Sequence, residues 1–163
     1  MKKEEIKFEY KVYEDSSELS SIDGKLLQDA RDVTSKAYAP YSNFFVGAVA
    51  LLKNGATVSG TNQENAAYPV GICAERVLLG VASMLHTNVP IETLAVTYLN
   101  NKGESDNPIS PCGMCRQALC EYETRTSHPI RIILSGATGK VFLLETVSQL
   151  LPFSFGSKDL VGK

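Results

Sequence analysis

Apolar and charged residues alternate at the start of the chain, where Ile6, Phe8, Tyr10 and Val12 enclose Lys7, Glu9 and Lys11. A period of two predicts a short strand or an ordered arm. Asp15 to Ser21 is polar and reads as a connector. Leu26, Leu27, Ala30, Val33 and Ala37 then recur at helical spacing, which predicts a helix over about 23–38, ended by Pro40. Val46 to Leu52 is an apolar run followed by Lys53-Asn54-Gly55, a strong hairpin signal, with the return strand over Ala56 to Thr61. Asn62 to Ile72 is a loop containing Pro69 and Gly71, and a helix is predicted over Cys73 to Leu85. Leu94 to Leu99 reads as a strand and Asn100 to Ser110 as a polar loop. Pro111 suits the first turn of a further helix reaching about Tyr122. Ile130 to Leu134 and Val141 to Leu144 are strands joined by a turn at Gly136 and Gly139, and Thr146 to Leu151 is a short helix. This order predicts a three-layer α/β/α domain with a mixed five-stranded sheet.

Length and composition narrow the class. The 163 residues suit a single domain, with residues 1–23 an arm of unassigned role. No run approaches the roughly 18 apolar residues that span a bilayer. Met1-Lys2-Lys3-Glu4-Glu5 leads into polar residues without an apolar stretch, so no secretory signal is expected and a cytoplasmic location is. The net charge is −2 and no basic stripe is present, which argues against a polynucleotide partner and for a small-molecule one.

The chemistry concentrates in the cysteines: Cys73, Cys112, Cys115 and Cys120. In a reducing compartment, clustered cysteines are more often ligands or catalysts than disulfides. Cys112 and Cys115 share one face of a predicted helix start, and Cys73 begins another. Helix N-termini lower thiol pKa values and suit thiolates. Three thiolates leave one tetrahedral position open, as in a catalytic zinc site. Glu75, two residues after Cys73, is placed to move protons beside that position. Arg76 is placed to donate to a ligand sulfur.

Each part has a plainer reading. A lone C-x-x-C is also a redox motif or half of a zinc ribbon, but a ribbon needs a fourth ligand. Cys120 lies five residues past Cys115, on another side of the helix, and reads as a small buried hydrophobe. His86 and His128 lie in polar connectors and read as surface residues. The combination is more specific: C-x-E followed by P-C-x-x-C is the signature of zinc nucleobase deaminases, with Glu as general acid/base.

Around these residues the chain resembles the small, homotetrameric class of zinc-dependent cytidine deaminases. The likeness is carried by Ala37-Tyr38-Ala39-Pro40-Tyr41-Ser42-Asn43-Phe44, by Asn62-Gln63-Glu64-Asn65-Ala66-Ala67-Tyr68-Pro69, by Gly71-Ile72-Cys73-Ala74-Glu75-Arg76, by Pro111-Cys112-Gly113-Met114-Cys115-Arg116-Gln117, and by the tail Leu150-Leu151-Pro152-Phe153-Ser154-Phe155-Gly156. It spans about Ala37 to Leu160. The resemblance implies a cytidine deaminase-like fold and hydrolysis of cytidine and 2′-deoxycytidine in pyrimidine salvage. It implies one zinc per chain on Cys73, Cys112 and Cys115, with Glu75 as proton shuttle. It implies that Asn62 and Glu64 bind the ribose hydroxyl, that Phe44 and Tyr68 lie on the substrate side, and that backbone groups near Ala74 and Ser110 contact the reacting ring. It further implies that Phe155 stacks on the base in a neighbouring subunit's site. Phe45 departs from the family, where a small or polar residue, often Pro, is common. The rival readings are a blasticidin-type deaminase, a polynucleotide deaminase, and a zinc-stabilised binding module with a dead site.

Overall fold

The computed structural model describes residues 1–160. Its elements are β1 (Lys11–Tyr13), α1 (Ser21–Val33), β2 (Phe44–Leu52), β3 (Thr57–Thr61), α2 (Ala74–Leu85), β4 (Ile91–Asn100), α3 (Gly113–Thr126), β5 (Arg131–Ser135), β6 (Val141–Leu144) and α4 (Ser157–Leu160). The strands form one sheet in the order β1-β6-β5-β4-β2-β3. Only β4 and β5 run parallel; the other pairs are antiparallel.

Alternation along the strands sorts side chains into two cores. Val49, Ala95, Ile133, Val141 and Leu143 face Leu26, Leu27 and Ala30 of α1. Their neighbours Ala48, Ala50, Leu94, Val96, Ile132 and Leu134 face Leu78 and Ala82 of α2 and Leu119 and Tyr122 of α3. The runs are apolar at successive positions because both faces of the sheet are covered. The result is the expected three-layer α/β/α arrangement. No helix among the described residues is long and apolar enough to cross a membrane.

The sheet has six strands rather than five. The added strand comes from the N-terminal arm, where Val12 pairs with Phe142 and Tyr13 with Val141. The alternating pattern begins at Ile6, but the strand is confined to Lys11–Tyr13. Its partner β6 is only four residues long, so most of the alternating segment has no ladder to join. Tyr10 instead sets its ring edge-on to Phe142, at 5.1 Å between centroids. The first long helix also differs. It starts at Ser21, capped by the Ser20 hydroxyl, and its α-helical part stops at Val33. A 3₁₀ turn over Thr34–Lys36 carries the chain to Ala37. The Thr34 hydroxyl donates to the Arg31 carbonyl at 2.7 Å, beside the backbone N–H of Thr34 that bonds the same oxygen.

Pro111 precedes α3 instead of occupying its first turn, because Cys112 is the N-cap with extended backbone, φ −67° and ψ 168°. The predicted hairpin is present, with Gly55 at φ +83° in the turn. Close packing of β3 beneath α2 depends on Gly60. A Cβ there would collide with the Ala74 carbonyl and the Leu78 amide nitrogen. This contact sets the start of α2, and with it Cys73 and Glu75, against the sheet.

Candidate active site

Cys73 is the N-cap of α2 and Cys112 the N-cap of α3. Neither helix has a side chain capping its first turn, so the free N–H groups and positive dipole ends of both helices are available to thiolates. Cys115 joins them from the first turn of α3. The Sγ atoms of Cys73 and Cys112 are 3.6 Å apart and those of Cys112 and Cys115 3.4 Å. All three lie within 4.8 Å of one another. A tetrahedral ion with sulfur at about 2.3 Å holds its ligands about 3.8 Å apart. The donor set, its spacing and its single missing corner therefore fit zinc.

The electrostatics of the thiols agree. Hydrogen bonding from Cys115 is the largest influence holding the Cys73 thiol down, to about 6, with Cys112 adding to it and burial opposing it. Cys115 is pushed up, first by that hydrogen bond with Cys73 and then by burial. The Cys73 and Cys115 thiols thus oppose each other's ionisation, as adjacent groups that would carry like charge do. Cys120 is buried and outside the cluster, and burial raises its thiol pKa, as a core cysteine requires.

Glu75 is only 4% exposed. Burial raises its pKa above the ordinary carboxyl value, opposed by its own backbone N–H and the Cys115 thiol. A buried carboxyl that hydrogen-bonds a cluster cysteine has the basicity that proton exchange near neutral pH calls for. Arg76 makes no hydrogen bond to a sulfur among the described residues; it favours the Cys73 thiolate through its charge.

Of the residues expected on the substrate side, Asn62, Glu64 and Phe44 meet at the 41–46 segment. Asn62 accepts from the Val46 amide at 2.7 Å and donates to the Phe44 carbonyl at 2.8 Å. Glu64 accepts from the amides of Tyr41 and Ser42 at 2.9 and 3.3 Å. Hydrogen bonding from Ser42 is the main reason its pKa is lowered, so it stays charged. Both side chains therefore shape the 41–46 segment. One N–H and one lone pair of the Asn62 amide have no partner among the described residues. Phe44 stacks on Tyr98, with centroids 4.6 Å apart and planes 15° from parallel. Tyr68, in a 3₁₀ turn, is 91% exposed. His86 and His128 are partly buried and outside the cysteine cluster.

Three long-range pairings carried no recognisable signal in the sequence. Tyr98 supports Phe44 but reads only as one more apolar strand residue. Gln117 donates to the Phe155 carbonyl at 2.7 Å, across 38 positions of sequence. Glu123 accepts from the Ile130 amide, the Thr146 hydroxyl and the Val147 amide at 2.7, 2.6 and 3.2 Å. Long-range pairings of this kind follow from the fold and have no local pattern.

The comparisons with known proteins agree with this geometry. The family described as the cytidine and deoxycytidylate deaminase zinc-binding region matches residues 20–128. A cytidine deaminase from Halalkalibacterium halodurans is 34% identical over 138 residues, covering 83% of this chain and 95% of that protein. One from Mycoplasma pneumoniae is 40% identical over 131 residues, covering 79% and 90%. Among solved structures, the cytidine deaminase from Burkholderia pseudomallei superposes with a TM-score of 0.71 at 34% identity, covering 84% of this chain and all of that one. A cytidine deaminase from Mycobacterium tuberculosis gives a TM-score of 0.63 at 27% identity. The matched region contains both zinc-ligand helix starts, Glu75 and the Asn62–Glu64 turn, and on that ground the chain belongs to the cytidine and deoxycytidylate deaminase zinc-binding family.

Proposed function

We propose that the protein hydrolyses cytidine and 2′-deoxycytidine to the uridine products and ammonia. The observation that carries this reading is a buried carboxyl, Glu75, against three converging thiols with one open corner. A metal held only for structure has no use for such a group. Cys73, Cys112 and Cys115 would hold the zinc. When bound, zinc supplies Lewis acidity and brings the pKa of water down to near 7.

The protein's own groups do the rest. Glu75 accepts a proton as water adds to C4 of the pyrimidine and delivers it to N3. It then takes the remaining proton from the hydroxyl now on C4, as the C4 carbonyl forms, and transfers it to the amino group while the C4–N bond breaks. One water is consumed, one ammonia leaves, and the ring becomes uracil. Asn62 and Glu64 hold the sugar through the groups the 41–46 segment leaves free. Phe44, backed by Tyr98, walls the nucleoside, and backbone groups near Ala74 and Ser110 orient the ring. Arg76 offsets part of the thiolate charge. Phe155 stacks on the base from a second copy, in a homotetramer with shared sites. The net charge of −2 supports a free nucleoside over a polynucleotide.

The test is ammonia release from cytidine, 2′-deoxycytidine, cytosine and blasticidin S with purified, zinc-loaded protein. Turnover of the first two and little of the last two is expected. Activity confined to blasticidin S, or absent on all four, would overturn the proposal.

A further inference from the structure

The C-terminal segment is tied to α3 at three successive points. Glu123 holds its root through Thr146 and Val147. Arg116 holds its middle, donating from NH1 to the Leu150 carbonyl at 3.3 Å while its Nε donates to the Pro111 carbonyl at 2.8 Å. Gln117 holds its end, donating from Nε2 to the Phe155 carbonyl at 2.7 Å. The helix so used carries Cys115 in its first turn and Cys112 as its cap. Between Leu150 and Phe155 the chain has no regular secondary structure, and the Phe155 side chain is 59% exposed.

An aromatic ring that projects into solvent from a segment without a helix or strand needs a fixed backbone to have a defined direction. Gln117 provides the fixing bond. Its position also sets the direction. Residues on a helix are separated by about 100°, so Gln117 lies about 200° around α3 from Cys115. The tail is therefore fastened on a different side of α3 from the chain's own cysteine cluster, and its ring is presented outward.

We infer that Arg116 and Gln117 form a clamp on α3 that positions the Phe155 ring for a nucleoside bound in another copy's site. They are positioning residues that act through Phe155 and set substrate affinity, without acting on the metal or on proton transfer. The inference rests on the deaminase reading for its substrate, but the clamp itself can be tested without turnover.

Two measurements test it. The chain contains no tryptophan, so Phe155→Trp introduces a single reporter at the tail. Adding Gln117→Leu, which keeps bulk and removes the donor, should lower the reporter's anisotropy and shift its emission toward that of a water-exposed indole. Adding Gln117→Lys, a donor of similar reach, should restore both. In the Phe155 background, Gln117→Leu should raise KM for cytidine at least about fivefold, and by no more than Phe155→Ala does, with kcat within about threefold. Zinc content and far-ultraviolet circular dichroism should be unchanged. Unchanged anisotropy in Gln117→Leu overturns the clamp, as does failure of Gln117→Lys to restore it. So does loss of zinc or of kcat in place of a KM effect, since Gln117 would then be supporting α3 itself. If the wild-type protein turned over no cytidine, the deaminase reading would fail while the anisotropy comparison still decided the clamp.

Discussion

Glu75→Gln separates the proton shuttle from everything else the site does. The side chains are nearly isosteric, and the residue is 4% exposed, so the substitution leaves no cavity. Without zinc the partners of the carboxyl are its own backbone N–H and the Cys115 thiol, but zinc binding turns that thiol into a thiolate and leaves the backbone N–H as the donor. An amide oxygen can accept from that N–H, while the new NH₂ group has only a metal-bound sulfur, a weak acceptor, to donate to. Leaving such a group buried costs about 1–3 kcal/mol. For a chain of this size that lowers Tm by roughly 2–12 °C, at about 2–4 °C per kcal/mol. The fold and the three cysteines should survive this. The catalytic loss is much larger. Each proton transfer assisted by a positioned base is worth about 10²–10⁴-fold, and Glu75 serves at least two, so turnover should fall about 10⁴-fold or more. Both histidines lie in connectors outside the cluster, so neither replaces it. The assay is steady-state ammonia release, run beside metal analysis and a thermal melt of the same preparation. Activity within tenfold of wild type, with about one zinc per chain retained, would remove Glu75 from the mechanism.

Other outcomes follow from the same geometry. Cys112→Ala should lose zinc and, because metal binding is coupled to folding, part of the thermal stability, whereas Cys120→Ala should keep its zinc; metal analysis of the two variants checks the ligand assignment. Cytidine should be preferred to free cytosine by roughly 10²- to 10⁴-fold in kcat/KM, because the sugar adds hydrogen bonds to the spare groups of Asn62 and Glu64, each worth about 1–3 kcal/mol; comparable values would refute the ribose-binding role. Phe155→Ala should lower kcat/KM by about 5- to 150-fold, the value of one base stacked on an aromatic ring. Refolding Phe155→Ala together with Glu75→Gln should return a component with near wild-type KM if Phe155 acts between chains; the absence of that component, with mixed oligomers demonstrated, would assign Phe155 to its own chain.

Much of the site could be read directly from residue order because its chemistry is local. Cys73 and Glu75 are two positions apart, and Cys112 and Cys115 three, so each pair is placed by one helix start. The layers were equally readable, since apolar runs such as Val46 to Leu52 must be covered on both faces. The hairpin at Asn54-Gly55 follows from backbone freedom at one glycine, which takes φ +83°. What failed locally did so for definable reasons. Pro111 satisfies the rules for a first helical position, yet the helix begins after Cys112, since the preceding residues take the extended backbone of an N-cap. The alternating arm predicted a short strand or an ordered arm from Ile6; where the strand falls is decided by the partner, and β6 offers only Val141 to Leu144.

The tertiary structure decided what depends on meetings between distant segments. It brought Cys73 within 3.6 Å of Cys112 across 39 positions, which spacing could suggest but not require. It pushed up the pKa of Glu75 by burying it, set Tyr98 behind Phe44, and engaged Asn62 and Glu64 in shaping the 41–46 segment before any sugar arrives. It also fastened the tail to Gln117. The physical reason is common to all of these. A helix start or a turn is determined by neighbours along the chain, whereas a pKa shift, a stacking partner or a long-range hydrogen bond depends on which surfaces the folded sheet and its helices bring together.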